Sequence, residues 1–355
     1  MISQRIKKFA SILVNHSTNI QPNEKVIISA DSNAEPLILE IYKQIIQKGA
    51  YPTTKIILPQ MNYTYYNYSS TEQLKRFPEI SFQEIKQTQA FISIPSPQNT
   101  RELSSIDPHK ISLRSQTTNP ITDYIVNSKN IRRVSTTFPS FSLAQDSEMS
   151  LEEYNNFFFK AVIQDWEKET KKYNKWKSYF KNADQIRILS SNTDLKFSMK
   201  KRPMILDEGK ENMPGGEMFC APLHKTTKGY INFTYPAIRA GTEVTDIFLE
   251  FKDGKVIKSN ATKNKEFLKK MIQTDAGSPY LGELGIGLNK NITKFTKNLL
   301  FDEKQDKTIH LALGMAYKEC LGTNKSALHW DIVKDMKDSE LIVDGTIIQK
   351  NGKWR

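Results

Sequence analysis

Apolar residues fall at helical spacing from the start of the chain: Ile2, Ile6, Phe9, Ile12 and Leu13 predict an amphipathic helix over residues 2–14. KVIISA, Lys25 to Ala30, then reads as a buried strand. In AEPLILEIYKQIIQKG the residues Leu37, Ile38, Ile41, Tyr42, Ile45 and Ile46 share one helical face, and Gly49 is placed to stop that helix. TTKIIL, after Pro52, is a second strand. A strand-helix-strand unit of this kind implies a right-handed crossover and a parallel sheet. Ala90 to Ile94 and Ile131 to Ser135 predict further strands, so residues 1–148 are expected to form an open α/β domain. The turn after the first strand, Asp31-Ser32-Asn33-Ala34, has none of the glycines that let a backbone approach a pyrophosphate, which argues against a dinucleotide site.

The stretch from Met149 to Asn182 contains no glycine or proline and reads as one long helix or two in succession. Ser150 and Glu153 form a capping-box pattern at its start. Residues 149–183 are taken as a connecting helix. Beyond it the pattern shortens to alternating strands at Gln185–Leu189, Asp194–Met199, Gly229–Tyr235 and Ile247–Lys252. Asp253-Gly254 is a hairpin turn signal leading into KVIKS, and one helix is expected near Asn264 to Gln273. Residues 184–355 are therefore expected to be an α+β, β-rich domain.

Composition narrows the class. At 355 residues the chain is long enough for two cores. No apolar run approaches the roughly 20 residues that span a bilayer, and the N-terminus interleaves charge with apolar residues, unlike a signal peptide. Two widely separated cysteines, Cys220 and Cys320, make neither a disulfide framework nor a zinc-finger pattern. A cytoplasmic protein with no membrane contact is the expectation. The net charge of +12 would suit a nucleic-acid partner, but the lysines are scattered and no basic tail or reader motif accompanies them. No nucleic-acid partner is expected.

Three segments of the second domain concentrate potential ligands. A Pro-Gly-Gly turn, Pro214-Gly215-Gly216, delivers Glu217. Gly282-Glu283-Leu284-Gly285-Ile286-Gly287 would let backbone crowd around Glu283. In Thr308 to Asp331, His310 lies in an alternating run with Thr308 and Ala312, while His329 and Asp331 at spacing two face one side of a strand. Together these residues are enough to hold two divalent ions. Each has a plainer reading: a glutamate after a turn is usually solvated, His310 could be a satisfied core histidine, and His329 with Asp331 a hydrogen-bonded pair at a strand edge. The glycine-rich segment could be only a tight bend, and Asp302-Glu303-Lys304 reads by itself as exposed surface.

The order and spacing of these segments resemble the aminopeptidase T family, the thermophilic-type dinuclear metallo-aminopeptidases, family twenty-nine of the metallopeptidases. The resemblance runs through Ala144-Gln145-Asp146, Met149 to Tyr154, Thr193-Asp194-Leu195, Asn212-Met213-Pro214 with Gly216-Glu217, Gly282 to Asn289, Asp302-Glu303-Lys304, His310 to Gly314 with Tyr317, and Ser326 with His329-Trp330-Asp331. It covers nearly the whole chain, more weakly before residue 100. Two departures stand out. Family members tend to have Gly-Gly-Thr before the first histidine, where this chain has Asp306-Lys307-Thr308, and Leu321 precedes Gly322 where a second glycine is expected.

The resemblance implies that Glu217, Glu283, His310, His329 and Asp331 are metal ligands for two divalent ions, whether zinc, cobalt, manganese or magnesium. It implies catalytic roles for Glu283 or Glu217 in moving a proton and for Tyr317 in donating to an oxyanion, with Asp302 and Glu303 behind the ligands. The implied activity is removal of the N-terminal residue of short peptides, with broad specificity and a preference for apolar residues such as leucine, by a homodimer. The alternative is a metal- or peptide-binding homologue without catalysis.

Overall fold

The computed structural model describes residues 2–239 and 241–355. The chain divides into two compact units, one running to Gln164 and taking in Gly209–Pro214, the other comprising Asp165–Glu208 and Gly215–Arg355.

In the first unit the strands Tyr51–Ile57, Lys25–Asp31, Ala90–Ile94 and Arg132–Ser135 lie side by side in that order, all parallel. The central Lys25–Asp31 strand buries Val26, Ile27, Ile28 and Ala30, with consecutive residues buried as in a strand covered on both faces. The helix predicted after it spans Glu35–Gln47 and buries Leu37, Ile38, Ile41 and Ile45. Gly49 follows with φ +74, the left-handed residue that ends the helix. At the N-terminus the α-helix covers only Gln4–Ser11 and continues as a π-helical turn, Ile12–Ser17. The helix Pro108–Asn127, with Pro120 inside it and no fully buried residue, shows helical spacing of apolar residues at its C-terminal end, where Ile121, Tyr124 and Ile125 pack against an apolar cluster.

Two helices occupy the glycine-free stretch, Leu151–Val162 and Trp166–Lys177. Ser150 and Glu153 form the full capping box, each side chain bonded to the other's backbone N–H. The first helix belongs to the N-terminal unit and the second to the C-terminal one.

Among the described residues the second unit contains a small two-stranded antiparallel sheet, Ala237–Arg239 with Thr242–Val244, and two larger antiparallel sheets. One has eight strands, with Gln185–Ser190 and Thr193–Ser198 near its middle. The other has five, in the order His329–Asp335, Thr308–Gly314, Leu281–Gly287, Glu217–Cys220 and Ile205–Asp207. Alternation along these strands divides their side chains. Met218, Cys220, Leu284, Ile286, Ile309, Leu311, Leu313, Trp330 and Ile332 join one core with Ile186, Ile188, Leu195 and Phe197 of the larger sheet. Glu217, Glu283, His310, His329 and Asp331 occupy the alternate positions, on the other face. The glycine-rich segment is thus not a bend: Leu281–Gly287 is a strand, wholly buried, in the middle of the five. Both cysteines are buried and free. Among the described residues, no helix is long and apolar enough to cross a membrane.

Candidate active site

Glu217 reaches the sheet through a glycine that no other residue would suit. Gly216 has φ +103, and a Cβ there would lie 2.9 Å from Cβ of Asn289. The turn is fixed by its backbone: Gly216 N–H donates to Asp207 (2.9 Å), Leu288 N–H donates to the Gly216 carbonyl (2.8 Å), and the buried Asn289 amide donates to Gly215 (3.1 Å). In register terms Glu217 pairs with Gly287, and Gly285 pairs with His310. The side-chain-free positions of the central strand leave room on its face for a carboxylate and an imidazole from its neighbours.

His310 is the centre of the cluster. Its Nε2 lies 3.0 Å from Glu217 Oε1, 3.2 Å from Glu283 Oε1 and 3.9 Å from Asp331 Oδ1. Two overlapping trios, Glu217 with Glu303 and His310, and Glu283 with His310 and Asp331, each bring one ligand atom per residue within 4.8 Å of the others. His329 joins neither trio, but its Nε2 is 3.5 Å from Asp331 Oδ2. Its Nδ1 lies 2.8 Å from the Met315 carbonyl, which holds the Nδ1–H tautomer and turns the other nitrogen toward Asp331.

The electrostatics are those of a site built for positive charge. Burial alone would depress the His310 imidazolium, yet Glu217, Glu283 and Asp331 raise it well above its ordinary value. His329 is raised in the same way, chiefly by Asp331 and Glu283 acting against burial. Burial raises Glu283, and the neighbouring Asp331 and Glu217 carboxylates add to it. Burial would also raise Glu217, but Lys304 and His310 overcome it and bring that carboxyl down to about 2. Among the described residues, Glu283 Oε2, Asp331 Oδ1 and His310 Nδ1 are buried without a hydrogen-bond partner. Unsatisfied buried carboxylate oxygens are costly unless a cation completes them. The donor set of carboxylate oxygens and imidazole nitrogens fits a hard or borderline divalent ion.

Tyr317 follows the His310 strand past Gly314. Its ring packs 4.8 Å from that of His329 and 6.2 Å from that of Phe219, centroid to centroid. Burial, with Glu283 and Asp331 next, raises its hydroxyl, which keeps it a donor at neutral pH.

The sequence pattern missed most at Asp302-Glu303-Lys304, which reads as surface and is not. Asp302 and Lys304 are buried, and Glu303 is half-buried with a place in the first trio. Asp302 is held by its own bonds: its Oδ1 accepts from Thr296 N (2.6 Å) and the Thr296 hydroxyl (2.9 Å), and burial raises it to about 7. Only the apolar Leu299, Leu300 and Phe301 immediately before the three charged residues hinted that the segment turns inward.

The departures from glycine fall where glycine would be easiest. Lys307 has φ +65 and Leu321 φ +56, both left-handed. The backbone there keeps a glycine-like conformation with a side chain attached.

Comparison with known proteins bears on the same region and the whole chain. The sequence model of the family described as thermophilic metalloprotease (M29) matches residues 2–354. Aminopeptidase AmpS of Bacillus subtilis (strain 168) is 24% identical over 413 aligned positions, covering 99% of this chain and 98% of its own. The solved structure of wild-type AmpT from Thermus thermophilus aligns over 100% of both chains with a TM-score of 0.86 at 21% identity. A 2,5-dihydroxypyridine dioxygenase from Pseudomonas putida KT2440 aligns over 100% of this chain and 98% of its own, with a TM-score of 0.67 at 10% identity. Peptidase and dioxygenase thus share the fold, so the side chains must decide the chemistry.

Proposed function

The chain belongs to the thermophilic metalloprotease (M29) family, and from that premise we propose that it is a metal-dependent aminopeptidase removing the N-terminal residue of short peptides. The observation that carries the proposal is the convergence on His310 Nε2 of carboxylates from separate segments, with buried carboxylate oxygens left unsatisfied. In this reading Glu217, Glu283, Glu303, His310, His329 and Asp331 hold two divalent ions. Such ions supply Lewis-acid polarisation of the scissile carbonyl and a water acidified toward neutrality.

The protein's own groups then have distinct tasks. Glu283 lies against His310, and burial with the neighbouring carboxylates raises it, which suits it to take a proton from the attacking water and return it to the leaving amine. Glu217 is less available, since its Oε2 already accepts from Lys304 at 3.2 Å. Tyr317, held protonated and packed on His329, is placed to donate to the oxyanion of the tetrahedral intermediate. The carboxylates favour the free α-ammonium of a peptide near the site, which restricts cleavage to the first residue. A preference for leucine and assembly as a homodimer belong to the same reading.

The test is release of leucine from a leucyl peptide by the purified chain after dialysis against chelator, with zinc, cobalt, manganese or magnesium added back. Turnover restored by metal and confined to a free N-terminus is the expected result. Stoichiometric metal binding with no turnover would leave the non-catalytic alternative standing in its place.

A further inference from the structure

Lys304 contributes a charge to the cluster that opposes a cation, and it is fully buried. Its Nζ is 3.2 Å from Glu217 Oε2 and 3.7 Å from Asp207 Oδ2, and it also contacts Glu303 Oε1. An ammonium taken out of water survives only where carboxylates compensate it, and here three of them do.

This compensation is one-sided. Lys304 touches both carboxylates of the Glu217–Glu303–His310 trio. In the Glu283–His310–Asp331 trio the ion pairs are with histidines, and Arg239, bonded to the His329 carbonyl (2.7 Å), acts on Asp331 through its field. A fixed positive charge a few ångströms from a divalent ion repels it strongly in a low-dielectric interior, and it also occupies an oxygen of Glu217 that the ion would otherwise use. Resting on the two-ion reading above, we infer that Lys304 acts as a built-in cation that makes the Glu217–Glu303–His310 position the weaker of two unequal metal positions. The Glu283–His310–Asp331 position fills first, and Lys304 stands in for the second ion until it arrives.

Calorimetric titration of manganese or zinc into the chelator-dialysed full chain tests this. The wild type should bind two ions in steps separated by about tenfold or more in affinity. Lys304→Met and Lys304→Gln should each tighten the second step by about tenfold or more and leave the first unchanged. Glutamine keeps hydrogen-bond donors and methionine does not, so equal behaviour of the two assigns the effect to charge. Two equal sites in the wild type, or a second step that is unchanged or weaker in both variants, would overturn the inference.

Should the variants fold poorly without metal, thermal melting decides between the same alternatives. A loss of Tm in chelator that saturating metal restores is expected if the ammonium substitutes for a cation, whereas an equal loss with and without metal overturns it. Absence of any ion binding by the wild type would instead remove the metallopeptidase reading itself.

Discussion

A methyl group placed on Gly285 would lie 2.0 Å from both Cε1 and Nε2 of His310. The two residues pair across neighbouring strands, so the imidazole lies over a backbone that has no side chain of its own. Gly285→Ala must therefore push His310 off its carboxylates. Metal affinity should fall by about 10–100-fold, the range for losing the group that orients a ligand, and turnover should fall with it. Calorimetry and the leucyl-peptide assay check this; wild-type affinity in the variant would mean that the ring has another place to go.

Tyr317→Phe should lower kcat by about a hundredfold or more, as expected for loss of an oxyanion donor, with KM and Tm little changed. The ring contacts with His329 and Phe219 survive this substitution, which separates the hydroxyl from the packing. Retention of wild-type kcat would remove Tyr317 from the reaction.

Leu321→Gly should stabilise the chain by about 1 kcal/mol, because a left-handed conformation costs a non-glycine residue about that much. Leu321 is 57% exposed, so little packing is lost. Lys307→Gly should leave peptide hydrolysis intact; its stem lies against Gly352, which offsets part of the backbone gain. Chemical denaturation and the peptide assay measure the two. A drop in activity of about tenfold or more in Lys307→Gly would show that the lysine does more than occupy a turn.

Asp275 ties the segment that leads into the His329 strand. It accepts from Ala327 N (2.7 Å), Ser326 Oγ (2.8 Å), Ser278 N (3.0 Å) and Gly277 N (2.9 Å). Burial would raise its carboxyl, but these bonds bring it down to about 2. A depressed folded-state value contributes stability that is complete above the unfolded value of about 3.9 and drains as pH falls toward 2. Asp275→Asn should cost about 2 kcal/mol at neutral pH, and the gap to wild type should close between about pH 4 and pH 2. Parallel melting curves that never converge would refute the assignment.

What the sequence made legible was whatever depends on neighbours a few positions away. The alternation through Thr308, His310 and Ala312, and the spacing of His329 and Asp331, place the candidate ligands on one face without any knowledge of strand pairing. The apolar run in Lys25–Ala30 and the capping box at Ser150 were local in the same sense. Gly285 was not legible as the seat of His310, since that role needs the register between strands far apart in sequence. Nor was the burial of Lys304, whose partners Asp207 and Glu217 come from a distant part of the chain. The apolar Leu299, Leu300 and Phe301 hint that the segment turns inward, but nothing nearby in sequence marks the carboxylates that neutralise the lysine.

The candidate ligands are drawn from four strands of one antiparallel sheet and a turn beside it. A cation shared among them would tie together, on the polar face, strands that are otherwise joined by hydrogen-bond ladders, loops and the apolar core on their other face. Opening any one of these strands would then require release of the ion, so their amides should exchange with solvent at a common, slow rate once metal is present. On the proposed reading, the centre would thus also protect its own sheet from being pulled apart and cut.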